Sequence, residues 1–220
     1  LSELISGGME SPALEAAFTN LDKLVTAFEA LRPQLSADIS VEAFLDIVRK
    51  LEEINLAAHK LGSFASLTFS GDTQSQAAQS LMQRVEQFFA ELENRTLFFT
   101  LWWKDLADED AARLTAPAGD YQYWLEEMRH FKPHTLSEPE EKIINIKNVT
   151  GASALQMLYR SMTNRYTVKV QVGDEVKEMT RGELMVYVRQ ADPDLRARAY
   201  QELYRVYGED GTILGQIYQA

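Results

Sequence analysis

Few residues in this chain are of a type that does chemistry, and their spacing is the first thing to weigh. There are three histidines, His59, His130 and His134, and no cysteine. A hydrolytic zinc site takes two or three ligands from His, Glu and Asp, often at helical spacing. His130 and His134 are four residues apart, as a helical ligand pair would be, but Pro133 lies between them. Proline breaks a helix interior, so the two imidazoles are not expected to share a face. His59 sits in a helix-patterned stretch beside Ala58 and Leu61 and reads as a flank or surface histidine. Glu127-Met-Arg-His130 matches the Glu-x-x-His pair of carboxylate-bridged di-iron bundles. Such a site needs that motif twice, with further glutamates on two other helices, and here it occurs once. Without cysteine there is no disulfide scaffold, thiolate metal site or Cys nucleophile. Neither a Gly-rich phosphate loop nor a Ser-centred nucleophile elbow is present. From its own residues the chain offers no catalytic set and no metal set, and its substrate-binding residues stay unassigned.

Two aromatic clusters, Phe98-Phe-Thr-Leu-Trp-Trp103 and Tyr121-Gln-Tyr-Trp124, could line a groove for peptides. Aromatics at helical spacing read first as core. The charge balance, 33 Asp+Glu against 22 Lys+Arg for a net −11, argues against nucleic acid, whose binding needs cations to displace phosphate counterions. The runs Glu138-Pro-Glu-Glu141 and Asp108-Glu-Asp110 read as solvated faces, with the lesser possibility that they draw basic peptides towards a channel. With 220 residues and 45% hydrophobic content, the chain suits one large domain or two small ones. No stretch approaches the roughly 18 apolar residues of a membrane span, so no membrane partner is expected. The start lacks the basic and apolar regions of a signal peptide, which makes the cytoplasm the default compartment and the sequons at Asn94 and Asn148 chance matches.

The elements that must position these residues are mostly helices. Leu14, Phe18, Leu21, Val25, Phe28 and Leu31 recur in steps of three and four, ahead of Pro33. After Asp38 or Ser40 as N-cap, a second stripe runs from Val41 to Ala65 and breaks at Thr68–Gly71. Asp72 or Thr73 then caps a third helix along Ala77, Leu81, Val85, Phe88, Leu92 and Phe99, with the helical texture continuing to Leu114. Met82, Phe89, Leu97, Phe98, Trp102 and Trp103 lie off that stripe, so the third helix is apolar most of the way round and should be central. Shorter helices follow: Tyr121–His130 capped by Asp120, and one opened by Ser137 with Glu140 as its capping-box partner. Thr150–Ser153 interrupts again before Ala154–Met162. The period then becomes two along Tyr166, Val168, Val170 and Val172, which with Gly173-Asp174 and Glu175–Met179 reads as a β-hairpin. Thr180/Glu183 and Asp192-Pro193 start two further helices, and Gly208–Gly211 turns into a last one. The expected fold is mainly α: an antiparallel bundle of long helices, then shorter helices, with one small hairpin at about 165–179. The expected domains are a helical lobe over 1–163, the hairpin over 164–179, and helices over 180–220 that begin a further region. The missing initiator Met and the helix pattern running to Ala220 read as a piece of a longer protein.

Several blocks in order carry a resemblance: Phe131–Ile144, Thr150-Gly-Ala-Ser-Ala154, Leu158-Tyr159, Met162–Tyr166, Met179–Leu184 and Asp192–Tyr200. Together, over about 115–207, they resemble the N-terminal region of oligoendopeptidase F-like proteins, in the M3 family of zinc metallopeptidases. The resemblance implies two mostly helical lobes around a deep channel, short peptides as substrates, and a catalytic zinc held by an H-E-x-x-H helix. No histidine here is followed by Glu, so no catalytic or metal residue is carried over. The function it implies is the non-catalytic N-terminal part of a zinc-dependent oligopeptidase, forming one channel wall. Its partners would be short peptides and the remainder of the same polypeptide, with zinc in the parent and none in this piece. A self-standing helical-bundle module that binds peptides or partner helices is the alternative. A carboxylate-bridged metal enzyme is a third, weighed down by the single Glu-x-x-His.

Overall fold

A computed structural model describes residues 1–219 and divides into two compact units, one from Leu1 to Val149 and one from Thr150 onward. The first unit is built on α1 (Pro12–Glu29), α2 (Val41–Gly71) and α3 (Gln76–Asp105). Each opens on a serine that accepts from a backbone N–H three residues on: Ser11 from Leu14 (3.2 Å), Ser40 from Ala43 (3.2 Å) and Ser75 from Ala78 (3.3 Å). Such caps satisfy donors that a helix start leaves orphaned. Ser75 therefore replaces the expected Asp72 or Thr73; Asp72 instead accepts from the Gln74 N–H within the turn.

The stripes bury as their spacing predicts. Leu14, Phe18, Leu21, Val25 and Phe28 of α1 face Phe44, Ile47, Val48 and Leu61 of α2 and Leu81, Val85, Phe99 and Trp103 of α3 in one core. Helix α3 packs against both partners and against α5 and α6 below, which makes it the central helix. The Phe44 ring stacks 5.1 Å from Trp103 and 6.3 Å from Phe99, and Phe28 lies 5.4 Å from Phe98. Each such ring contributes roughly 1.5–3 kcal/mol by leaving water. Gly62 of α2 leaves room for the Phe89 ring of α3: a Cβ there would stand 3.0 Å from it.

The third helix is shorter than its texture suggests. It ends at Leu106, whose extended backbone (ψ 143°) breaks the run, and α4 (Asp108–Thr115) begins a new one. Asp108, Glu109 and Asp110 fill the first turn of α4, where carboxylates meet the positive end of the helix dipole. A 3-10 turn over Gly119–Tyr121 leads into α5 (Gln122–His130), so Asp120 makes no cap there. A second turn, Lys132–His134, precedes α6 (Glu138–Asn148). As expected, Glu140 closes the start of α6, accepting from the Ser137 N–H (2.9 Å) and hydroxyl (2.6 Å).

In the second unit, helix α7 covers Ala154–Thr163. A π-helical stretch, Val149–Ser153, stands where the sequence predicts a break. Ser153 keeps helical dihedrals (φ −65°, ψ −43°) and makes no side-chain cap, so Thr150–Ser153 is helical where a break is expected. The hairpin is β1 (Thr167–Val172) and β2 (Glu175–Thr180), antiparallel, with Val168 opposite Met179. Gly173 takes the turn at φ +62°. Helices α8 (Arg181–Tyr187) and α9 (Pro193–Glu209) cover the hairpin, and their Leu184, Ala199 and Val206 join Val168, Val170 and Met179 in a second small core. Thr180/Glu183 and Asp192 cap as predicted. Helix α10 (Gly211–Gln219) buries none of its residues. Among the described residues no helix is long and apolar enough to cross a membrane.

Candidate functional site

The C-terminal end of α3 is where most polar geometry converges. Arg129 of α5 donates to the carbonyls of Trp103 and Leu106 and pairs with Asp108 at 2.6 Å, and Lys132 donates to the Leu106 carbonyl at 3.2 Å. Cations satisfy the orphan carbonyls of a helix end and suit its negative pole. The buried Trp103 indole donates to the Leu125 carbonyl (2.9 Å), fixing α5 against the same end. Beside this junction lies a cleft of about 670 Å³ within the first unit. Phe98, Leu101 and Trp102 form its α3 side, Arg32 and Leu35 close it from the segment after α1, and Lys132 with Thr135, Leu136, Ser137 and Glu138 supply the remaining wall.

Arg32 stands at the rim and is paired there. Its guanidinium makes a two-pronged contact with Glu138 (3.2 and 2.7 Å) and lies 5.4 Å from the centre of the Phe98 ring. Lys142 adds a second contact to Glu138 at 2.7 Å. Hydrogen bonding from Arg32, then from Lys142, holds the Glu138 carboxyl below the usual carboxylate range. Lys104 also lines the cleft and has no carboxylate partner among the described residues. In a chain of net charge −11, this cleft carries a local cationic excess.

The residues singled out from sequence do not gather here. His59 is exposed and lines a smaller apolar hollow of about 380 Å³ with Val48, Leu56, Tyr121 and Trp124. His130 is exposed and contacts Glu127 at 3.4 Å, while His134 sits apart on its 3-10 turn. Among the described residues no three His, Asp or Glu side chains are placed to hold a metal ion. The donors present, three scattered imidazoles and no thiolate, do not fit a zinc centre. The two aromatic clusters part ways. Phe98, Phe99 and Trp103 are core, as expected, but Tyr123 and Trp124 are exposed, since the short α5 buries only Leu125.

Comparison with known proteins bears on the same segment. A family model described as Oligopeptidase F matches residues 102–167, which include Trp102, Lys104, Lys132 and the Thr135–Glu138 part of the cleft wall. The chain carries an oligopeptidase F-like N-terminal region. The resemblance read over 115–207 overlaps this match, which begins earlier, at the end of α3. Group B oligopeptidase PepB of Streptococcus agalactiae is 25% identical over 172 residues, covering 76% of this chain and 27% of that protein. Oligopeptidase PepF of Bacillus subtilis is 21% identical over 180 residues, covering 79% of this chain and 26% of that protein. The chain thus spans about a quarter of the length of these relatives. A crystal structure of oligoendopeptidase-F from Enterococcus faecium superposes with a TM-score of 0.70 at 16% identity, over 92% of this chain and 40% of that one. At that identity the likeness is one of fold, and it extends well beyond the oligopeptidase F-like segment on both sides. The cleft itself was not legible from sequence, because Arg32 and Glu138 are 106 residues apart and only packing brings them together.

Proposed function

We propose that this chain is the N-terminal, non-catalytic part of a cytoplasmic zinc-dependent oligopeptidase and forms one wall of its substrate channel. The observation that carries this reading is the family match over residues 102–167, supported by two oligopeptidase relatives that align with most of the chain. In this reading the metal and the H-E-x-x-H helix lie in other parts of the polypeptide, and short peptides are the substrates. The lobe's own contribution is binding and exclusion. A rigid helical wall admits extended peptides and turns away folded proteins, and its acidic surface favours basic ones.

The purified 220-residue chain provides the test. Dialysed against zinc and assayed with a quenched-fluorescence oligopeptide, it should retain no stoichiometric zinc and show no cleavage that a chelator abolishes. One zinc per chain together with chelator-sensitive hydrolysis would overturn the assignment.

The exposed Trp124 and Leu56 beside the α2–α5 hollow favour a second reading, a self-standing peptide-binding helical module. Peptide binding that is abolished by Trp124→Ala, with no hydrolysis by the full-length protein, would put that reading first.

A further inference from the structure

We infer that the cleft at the end of α3 is a binding site for a carboxylate borne next to an apolar side chain, as at the C-terminal residue of a short peptide. Three observations converge on this chemistry. The cleft's volume of about 670 Å³ lies in the range that accommodates small ligands. Phe98, Leu101 and Trp102 give it an apolar wall, and the Phe98 ring is already fixed beneath the Arg32 guanidinium.

The cations decide the rest. Glu138 is matched by both Arg32 and Lys142, so it does not neutralise the two lysines that also line the cleft or stand beside it. Lys104 has no carboxylate partner among the described residues. Lys132 spends one N–H on the Leu106 carbonyl, which leaves two of its three donors. Asp105 is the one lining carboxylate other than Glu138, so the lining retains a positive excess. Two carbonyls at the helix end that would repel an anion, those of Trp103 and Leu106, are occupied by Arg129 and Lys132. An apolar carboxylate therefore finds both ammonium donors and aromatic surface in the lining of one cleft.

That the natural ligand is a peptide end rests on the oligopeptidase reading; the carboxylate chemistry does not. A free aromatic acid offers the same groups, so both belong in the test. The 220-residue protein is titrated by calorimetry and tryptophan fluorescence with a pentapeptide ending in Phe, with its C-terminal amide, and with N-acetylphenylalanine. The acid form should bind about tenfold more tightly than the amide, the difference a charge-assisted hydrogen bond makes. Lys104→Gln should remove that preference and leave amide binding unchanged. Trp102→Phe should keep binding but lose the fluorescence change, placing the ligand in this cleft. N-acetylphenylalanine binding as tightly as the peptide would support the site with a free acid as its ligand, and weaker binding would support it with a peptide end. Equal binding of acid and amide, no binding of either, or a Lys104→Gln protein indistinguishable from wild type would overturn the inference. None of these failures touches the zinc-dependence test, so the two readings fall separately.

Discussion

The two units bury their apolar residues on different scales. The first wraps α1, α2, α5 and α6 around one aromatic helix, with Phe28, Phe44, Phe99 and Trp103 fully buried. The second has no Phe or Trp, since none occurs after Phe131, and its core is Val168, Val170, Met179, Leu184, Val188, Ala199 and Val206. Polar contacts differ in the same way. In the first unit, Arg95 of α3 reaches three α1 side chains, Asp22, Thr26 and Glu29, and Arg84 contacts Glu15. In the second, the ties between distant elements include the hydrogen bond from Tyr166 to Asp210 (2.8 Å), with burial pushing the Tyr166 hydroxyl up to about 12, and one from the Lys169 N–H to Glu202 (3.3 Å). A large core with rings at its centre gives a rigid body on which a cleft can be held open. A small aliphatic core depends more heavily on its helix caps and its hairpin register.

That contrast can be broken by substitution. Trp103→Ala should have the largest effect, a loss of about 3–5 kcal/mol from the cavity alone, read as a shift in the urea midpoint of the first unit. It would also remove the indole's hydrogen bond to the Leu125 carbonyl. Leu184→Ala should cost about 2–4 kcal/mol, with faster amide exchange in the hairpin, α8 and α9. If α1–α3 lost protection equally, the two units would not be separate in stability. Thr180→Ala removes the N-cap of α8 and should cost about 1 kcal/mol in the second unit, with a smaller loss if Glu183 still reaches the Thr180 backbone N–H.

The smallest effect concerns pH. Because Arg32 and then Lys142 hold the Glu138 carboxyl below its ordinary range, its contribution is complete above the unfolded-state pKa. It is lost as pH falls through the lower folded-state value. The pair is partly exposed, so the loss should stay below about 1 kcal/mol. Glu138→Gln should flatten that part of the acid limb of the melting-temperature profile, whereas an unchanged limb would mean the contact adds nothing.

Much of this architecture is written locally. The stripes of α1 and α2, the Ser137/Glu140 and Thr180/Glu183 boxes, Asp192-Pro193 and the alternating β1 residues each carry their own signal within a few positions. The structure departs from the local pattern where the local signal is ambiguous or absent. The break at Leu106 has no Gly or Pro to mark it and is flanked by Lys104, Asp105 and Asp108, residues a continuous helix also tolerates, so α3 and α4 read as one helix. Serine at 75 won the cap over Asp72 because the turn consumed the aspartate. The π-helical stretch at 149–153 looks like a loop because Thr, Gly and Ser favour breaks when nothing else is known. Of the candidate site, Trp102 belongs to an aromatic cluster visible in the sequence, and Lys132 and Thr135 to Glu138 fall in a block that carries the family resemblance. Their meeting with Arg32 and Leu35 is a product of tertiary packing, and no spacing rule reports it.

The most direct measurement is on the full-length protein encoded by the gene that specifies this chain. Its hydrolysis of an eight-residue peptide is compared with hydrolysis of the same sequence inside a folded domain, with and without a zinc chelator. The account predicts cleavage of the free peptide, little of the folded one, and loss of activity on chelation that added zinc restores. No hydrolysis, or hydrolysis indifferent to the chelator, would contradict it.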